Sequence, residues 1–154
     1  RLSRRAAWVD IAIINHISLY TDMSGRVLVV EDSAFQRAWI RDRLEPTFDV
    51  VAEAGDGAEA VAAYREADPD AVTMDFALPV RDGPEATAAI KAHDPDAVVV
   101  FCTCVTQQAQ LKRAIRAGAD DYVRKPLVDE TLVDTVESAI SEATETPPGA
   151  ESAN

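Results

Sequence analysis

From Arg26 onward the chain alternates between two hydrophobic patterns, and the alternation repeats five times. Short, nearly continuous apolar runs predict strands at Arg26-Val27-Leu28-Val29-Val30, at about Asp49 to Ala54, and at Ala71-Val72-Thr73-Met74. Two more are predicted at Ala97-Val98-Val99-Val100-Phe101-Cys102 and at Asp121-Tyr122-Val123-Arg124. Between them apolar residues recur at helical spacing. Ser33-Ala34-Phe35-Gln36 has capping-box spacing and opens a helix that should run to about Leu44. After Gly55-Asp56-Gly57 a second helix carries Ala60, Val61 and Tyr64 inward. Asp82-Gly83-Pro84 starts a third, with proline at a favoured first position, ending near His93. The fourth takes Thr106 as N-cap, places Leu111, Ala114 and Ile115 on one face, and stops at Gly118. The fifth is capped by Asp129 and carries Leu132, Val133, Val136 and Ile140 at helical spacing.

Strands that are apolar throughout, each followed by a helix, imply a parallel sheet covered on both faces. A chain of 154 residues is about one such domain. The motifs Asp68-Pro69-Asp70-Ala71-Val72 and Asp94-Pro95-Asp96-Ala97-Val98 read as equivalent helix-to-strand turns. A calcium loop is disfavoured, because neither motif continues with further oxygen ligands. Residues 1–22 break from the pattern. Arg1-Leu2-Ser3-Arg4-Arg5 and the apolar stretch to Tyr20 resemble a signal peptide, but Asp10, Asn15 and His16 interrupt it and no Ala-x-Ala site follows. Met23-Ser24-Gly25 reads as a start, leaving 1–22 as a dispensable extension or, as the rival reading, a short helix packed on the domain. The domain is expected over 23–145, with 146–154 as a frayed tail.

Composition narrows the partners. A net charge of −12 argues against nucleic acid, whose phosphates need a basic field. No apolar run approaches membrane-spanning length. Only Lys91, Lys112 and Lys125 are lysine, and an acidic, lysine-poor chain suggests adaptation to high salt, where self-repulsion is screened. Cys102 and Cys104, one residue apart on a strand-like run, read as two small buried residues in a reducing compartment. No further cysteine exists to complete a thiolate metal site.

The chemistry sits just past the strands: Glu31-Asp32, Asp75, Thr103 and Lys125. In a parallel sheet these ends lie along one edge, which would gather three carboxylates, a hydroxyl and an ammonium. Taken singly each has an ordinary reading, as a helix cap, a loop acid, a strand hydroxyl or a solvated charge. Two carboxylates about 4 Å apart repel by roughly 4 kcal/mol at an effective dielectric of ~20, so the cluster asks for a cation. An all-oxygen set with open positions suits Mg²⁺, which accepts phosphate oxygens as further ligands.

These residues stand in recognisable company: Val-Leu-Val-Val-Glu-Asp-Ser at 27–33, Glu-Ala-Gly-Asp-Gly-Ala-Glu-Ala at 53–60, Asp75 through Leu78-Pro79 to Asp82-Gly83, Thr103, and Gly118 to Pro126. From about Gly25 to Ala143 the chain resembles the receiver domain of two-component response regulators, the CheY-like family. The resemblance implies a flavodoxin-like α/β fold, a doubly wound five-stranded parallel sheet of order 2-1-3-4-5 with helices on both faces. CheY-like domains are themselves a standard example of ligand binding at such a sheet's switch point, so that geometry is carried over from the family. The resemblance makes Asp75 the phosphoacceptor, served by a sensor histidine kinase. Glu31, Asp32, Asp75 and the backbone carbonyl of Ala77 would hold Mg²⁺, Asp32 directly and Glu31 through water. Thr103 and Lys125 would hold the phosphoryl group, Thr103 and Tyr122 would form the switch, and the Lys125–Pro126 bond would be cis. Departures from the family pattern are Glu31 where a second aspartate is commoner, apolar Ala77 and Val105, and Cys104, whose bulk could hinder Tyr122 turning inward.

The expected function is a stand-alone cytoplasmic switch, phosphorylated on Asp75 and acting by binding a downstream protein through its helix 4–strand 5–helix 5 face. It would not be an enzyme beyond self-catalysed phosphoryl transfer to, and hydrolysis from, Asp75. Lys112 and Arg116, with Arg113 beside them, form a local basic patch for an acidic partner or a plain solvated face. Chemotaxis-like output is slightly favoured over a phosphorelay intermediate. A Mg²⁺-dependent aspartyl-phosphate phosphatase is the rival from another class, but it usually needs an acid where Ala77 stands. A flavin or nucleotide binder would need a phosphate-cradling loop where Glu31-Asp32 would repel phosphate.

Overall fold

The computed structural model describes residues 25–104, 106–127 and 129–145. The readings made for 1–22, for Val105 and for 146–154 lie outside them. Five parallel strands, β1 (Arg26–Val30), β2 (Asp49–Ala54), β3 (Ala71–Met74), β4 (Val99–Thr103) and β5 (Asp121–Arg124), form one sheet of order β2-β1-β3-β4-β5. Helices α1 (Ala34–Leu44), α2 (Gly57–Ala67), α3 (Gly83–His93), α4 (Gln108–Ala117) and α5 (Asp129–Glu145) alternate with the strands. The fold is the doubly wound, flavodoxin-like one expected.

Strand period decides which helix covers which face. Leu28 and Val30 of β1 point into a layer with Ala60, Val61 and Tyr64 of α2, Ala86 and Ile90 of α3, and Ala114 of α4. Val27 and Val29 point the other way, against Ile40 and Leu44 of α1 and Leu132, Val136 and Ala139 of α5. Leu28, Ile40 and Leu44 are each at most 2% exposed, and burying a side chain of this size contributes roughly 1.5–3 kcal/mol. No helix among the described residues is long and apolar enough to cross a membrane.

Local signals held where a side chain could act on its own backbone. Ser33 accepts from Gln36 N–H, Asp56 from Glu59 N–H, and Asp82 with Glu85 completes a full capping box. Pro84 is the second residue of α3, after Gly83. Gly118 ends α4 in the left-handed region, at φ 113°. Elsewhere the structure corrects the expectation. Thr106 does not cap α4; the N-cap is Gln107, without a side-chain bond. Ile115 is 68% exposed, because α4 meets the sheet through Ala114 and Ile115 falls outside that stripe. Asp129 is the first residue of α5, and its side chain lies outside the described ones. The two Asp-Pro-Asp turns differ: Asp68 is left-handed at φ 48°, whereas Asp94 is extended at φ −138°. Asp70 there accepts from Arg26 N–H at 2.8 Å, while Asp94 accepts from the Tyr64 hydroxyl at 2.8 Å. β4 begins at Val99 and ends at Thr103, so Cys102 is buried while Cys104 lies past the strand and is exposed.

Candidate functional site

The chain winds one way from β1 to β2 and then crosses back to β3, so β1 and β3 are neighbours and Val30 lies opposite Met74. The next residue of each strand stays on the ladder: Asp75 N–H donates to the Val30 carbonyl at 3.1 Å, and Glu31 N–H to the Ala54 carbonyl at 3.0 Å. One oxygen each from Glu31, Asp32 and Asp75 can therefore lie within 4.8 Å of the others. Glu31 is fully buried, Asp75 partly so, and Asp32 is exposed.

β5 supplies the cation. Lys125 N–H donates to the Thr103 carbonyl at 3.0 Å, and the following peptide to Pro126 is cis. Its Nζ reaches Glu31 Oε1 at 2.7 Å, Gln36 Oε1 at 3.0 Å and Asp75 Oδ1 at 3.4 Å. The three protons of an ammonium thus have three acceptors. Asp75 Oδ1 also accepts from Phe76 N–H at 2.9 Å.

Charge crowding shows in the acidities. Burial pushes the Asp75 carboxyl up to about 6, and the Glu31 charge and hydrogen bond add to this against the opposing pull of Lys125. Glu31 responds the other way. Burial alone would raise it, but hydrogen bonds from Lys125, the Ser33 N–H and Asp32 together outweigh that and hold it below the usual range. Asp32 is raised, chiefly through its hydrogen bond with Glu31. On Lys125, burial is outweighed by Glu31 and Asp75, so its ammonium is held more firmly than usual. Burial drives the Cys102 thiol up to about 12, which leaves it inert as a nucleophile at neutral pH.

The remaining predicted residues surround this centre. Thr103 closes β4, is 3% exposed, and pairs in register with Arg124. Ala77 is an exposed residue of the turn after Asp75. That turn folds tightly onto the site, with Gly83 N–H on the Phe76 carbonyl at 2.7 Å. A Cβ on Gly83 would stand 2.3 Å from the Asp75 carbonyl oxygen. Tyr122 is 54% exposed and faces solvent. Of the basic patch, Lys112 and Arg116 are exposed, but Arg113 folds back to Asp82 at 2.8 Å with its guanidinium over the Phe76 ring.

Sequence reasoning missed two residues of α1. Arg37 donates to the Glu31 carbonyl at 2.7 Å and pairs with Glu53 at 3.3 Å, tying the end of β1 to β2. In sequence Gln36 reads only as a cap residue. The available signal was direction, since helical side chains lean toward the N-terminus and so toward the acid pair. An open groove of about 360 Å³, walled by Phe35, Trp39, Ile40, Pro126 and Leu127, runs alongside Lys125.

A doubly wound sheet with an acidic trio and a lysine amine at its switch point defines the class of open α/β folds that carry their site at the carboxyl ends of the strands. Within it the assignment is specific: a model of the response regulator receiver domain family matches residues 27–137, and the chain belongs to that family. It is 42% identical over 119 residues to the chemotaxis protein CheY of Halobacterium salinarum, covering 77% of this chain and 99% of that protein. It is 40% identical over 120 residues to CheY of Bacillus subtilis, covering 77% and 100%. Among solved structures, the response regulator domain of Thermotoga maritima CheB superposes with a TM-score of 0.68 at 35% identity, covering 80% of this chain and 98% of that one. A chain of the CheX–CheY–BeF3–Mg complex of Borrelia burgdorferi gives 0.69 at 28% identity, covering 73% and 87%.

Proposed function

We propose that this receiver domain is a switch controlled by phosphorylation of Asp75, with a histidine kinase as donor and a chemotaxis-like binding output. The observation that carries the reading is the convergence of Glu31, Asp32 and Asp75 under the Lys125 ammonium. The donor set fits Mg²⁺: hard carboxylate oxygens within 4.8 Å, with Asp75 raised by burial and then by the Glu31 charge. Glu31, Asp32, Asp75 and the Ala77 carbonyl would hold the ion, which when bound supplies charge neutralisation and orientation of the phosphoryl oxygens.

The chain's own residues do the rest. Above about pH 6 Asp75 is mainly ionised, and its carboxylate oxygen attacks phosphorus in line. A P–O bond to Asp75 forms, the P–N bond to the donor imidazole breaks, and the imidazole leaves with that electron pair. Lys125 pairs with the added charge, and the Thr103 hydroxyl donates to a phosphoryl oxygen. As Thr103 moves, Tyr122 turns inward from its outward position, past Cys104. Output follows on the α4–β5–α5 face, where Ile115 and Tyr122 are exposed. A complete shift from 1:99 to 99:1 would need about 5.5 kcal/mol of differential stabilisation.

On this reading the protein works in the cytoplasm and is no enzyme beyond its own phosphorylation and dephosphorylation. A phosphorelay intermediate is the second reading, favoured only if phosphate passes on from Asp75 to another histidine. A phosphatase is the weaker one, since Ala77 offers no general acid. The test is incubation with acetyl phosphate and Mg²⁺, followed by intact mass. One phosphoryl group on the native chain and none on Asp75→Asn supports the proposal; equal labelling of both, or steady turnover of phosphate esters, overturns it.

A further inference from the structure

We propose that Gln36 is a positioning residue for Lys125, an uncharged acceptor that keeps its ammonium over Asp75 when the acids turn to a divalent cation. This rests on the reading of Asp75 as a Mg²⁺-dependent phosphoacceptor. The observation is a capping box that is only half made. Ser33 Oγ accepts from Gln36 N–H at 3.3 Å, as the motif requires, and the reciprocal bond would run from Ser33 N–H to the Gln36 side chain. Ser33 N–H goes instead to Glu31 Oε2, at 3.2 Å. Glu31 thereby does the helix's work, and the Gln36 amide oxygen is released to accept from Lys125 Nζ at 3.0 Å.

The consequence concerns competition. Lys125 pairs with oxygens of Glu31 and Asp75, two of the three carboxylates that could hold a cation. Whatever those oxygens give to the cation they withdraw from the amine. Gln36 Oε1 lies outside the acid trio and carries no charge, so it alone of the three acceptors is unaffected. It is also held by α1, whose N-terminus is fixed by the Ser33 bond. Without it, Nζ would have either to contest the acids or to swing into the open groove that Lys125 already borders.

The experiment uses the full chain with Gln36→Met, similar in length but without an acceptor oxygen, and Gln36→Glu, which keeps one. Three quantities are read at pH 7.5: thermal unfolding without Mg²⁺, Mg²⁺ affinity by calorimetry, and the rate of acetyl phosphate labelling. Gln36→Met is expected to melt like wild type, yet to bind Mg²⁺ about three- to tenfold more weakly and label more slowly by a similar factor, the range for the net worth of one ordinary hydrogen bond. Gln36→Glu is expected to bind Mg²⁺ at least as tightly as wild type. Mg²⁺ affinity and labelling unchanged within about twofold in Gln36→Met would overturn the inference, as would a loss of Mg²⁺ affinity matched by a lowered melting temperature, because that marks a merely structural contact. If the wild type itself neither binds Mg²⁺ nor labels, the underlying reading falls as well.

Discussion

Replacing Asp75 with asparagine should stabilise the cation-free domain, although it removes the residue on which function is proposed to depend. The Asp75 carboxyl is raised from an ordinary 3.8 to about 6, first by burial and then by Glu31. Two units at 1.36 kcal/mol each give about 3 kcal/mol of strain in the ionised form. The side chain is only 13% exposed, so solvent screening trims this modestly. Asparagine keeps an oxygen for Phe76 N–H and Lys125, so an expected gain of about 1–3 kcal/mol follows at pH 7.5. A raised acid contributes stability that is fully present below its unfolded value and is lost as pH rises through its folded value. The wild type should therefore lose stability relative to Asp75→Asn between about pH 4 and pH 6, and the gap should close again at pH 4. Urea unfolding in EDTA across this range measures it, and saturating Mg²⁺ should shrink the gap by stabilising the wild type. An Asp75→Asn variant no more stable than wild type at pH 7.5, or equally favoured at pH 4 and 7.5, would refute the electrostatic reasoning.

Gly83→Ala would push a methyl to 2.3 Å from the Asp75 carbonyl and 2.9 Å from the Phe101 ring; denaturation should show a loss of about 3 kcal/mol, with slower acetyl phosphate labelling. The Thr87 hydroxyl on α3 is fully buried and has no hydrogen-bond partner among the described residues, so Thr87→Val should raise stability by about 1 kcal/mol in the same assay. Ile115→Asp, on the exposed face of α4, should leave the melting temperature and Asp75 labelling unchanged while abolishing capture of the downstream partner by the phosphorylated form.

The strands, their parallel pairing and the edge where the acids meet were legible because each follows from a period or a position. A short, valine-rich apolar run such as Val27–Val30 suits a strand buried on both sides, and whatever follows such a strand stands at the sheet's edge. Strand order was not legible from the residues alone and came from the family resemblance. Side-chain partnerships at the site were less accessible, because they depend on which of several acceptors wins. That Glu31 is an acid of the cluster is legible, but not that one of its oxygens accepts from the Ser33 N–H and the other holds Lys125. Gln36 fits a capping motif in sequence and serves a different group in space. Ile115 has the spacing of a core residue, but α4 rolls so that small Ala114 makes the contact. Cys104 keeps strand spacing from Cys102, but the strand ends between them.

The proposed switch depends on one shared ion beneath one amine, and crystals grown with Mg²⁺ and beryllium fluoride, a phosphoryl mimic, would look at it directly. The predicted result is a cation about 2.0–2.1 Å from oxygens of Asp32, Asp75 and Ala77, with the fluoride group on Asp75 in contact with Lys125 Nζ and the Thr103 hydroxyl. Density for the ion or the fluoride group away from Asp75, with Lys125 still bound to Glu31, would contradict it.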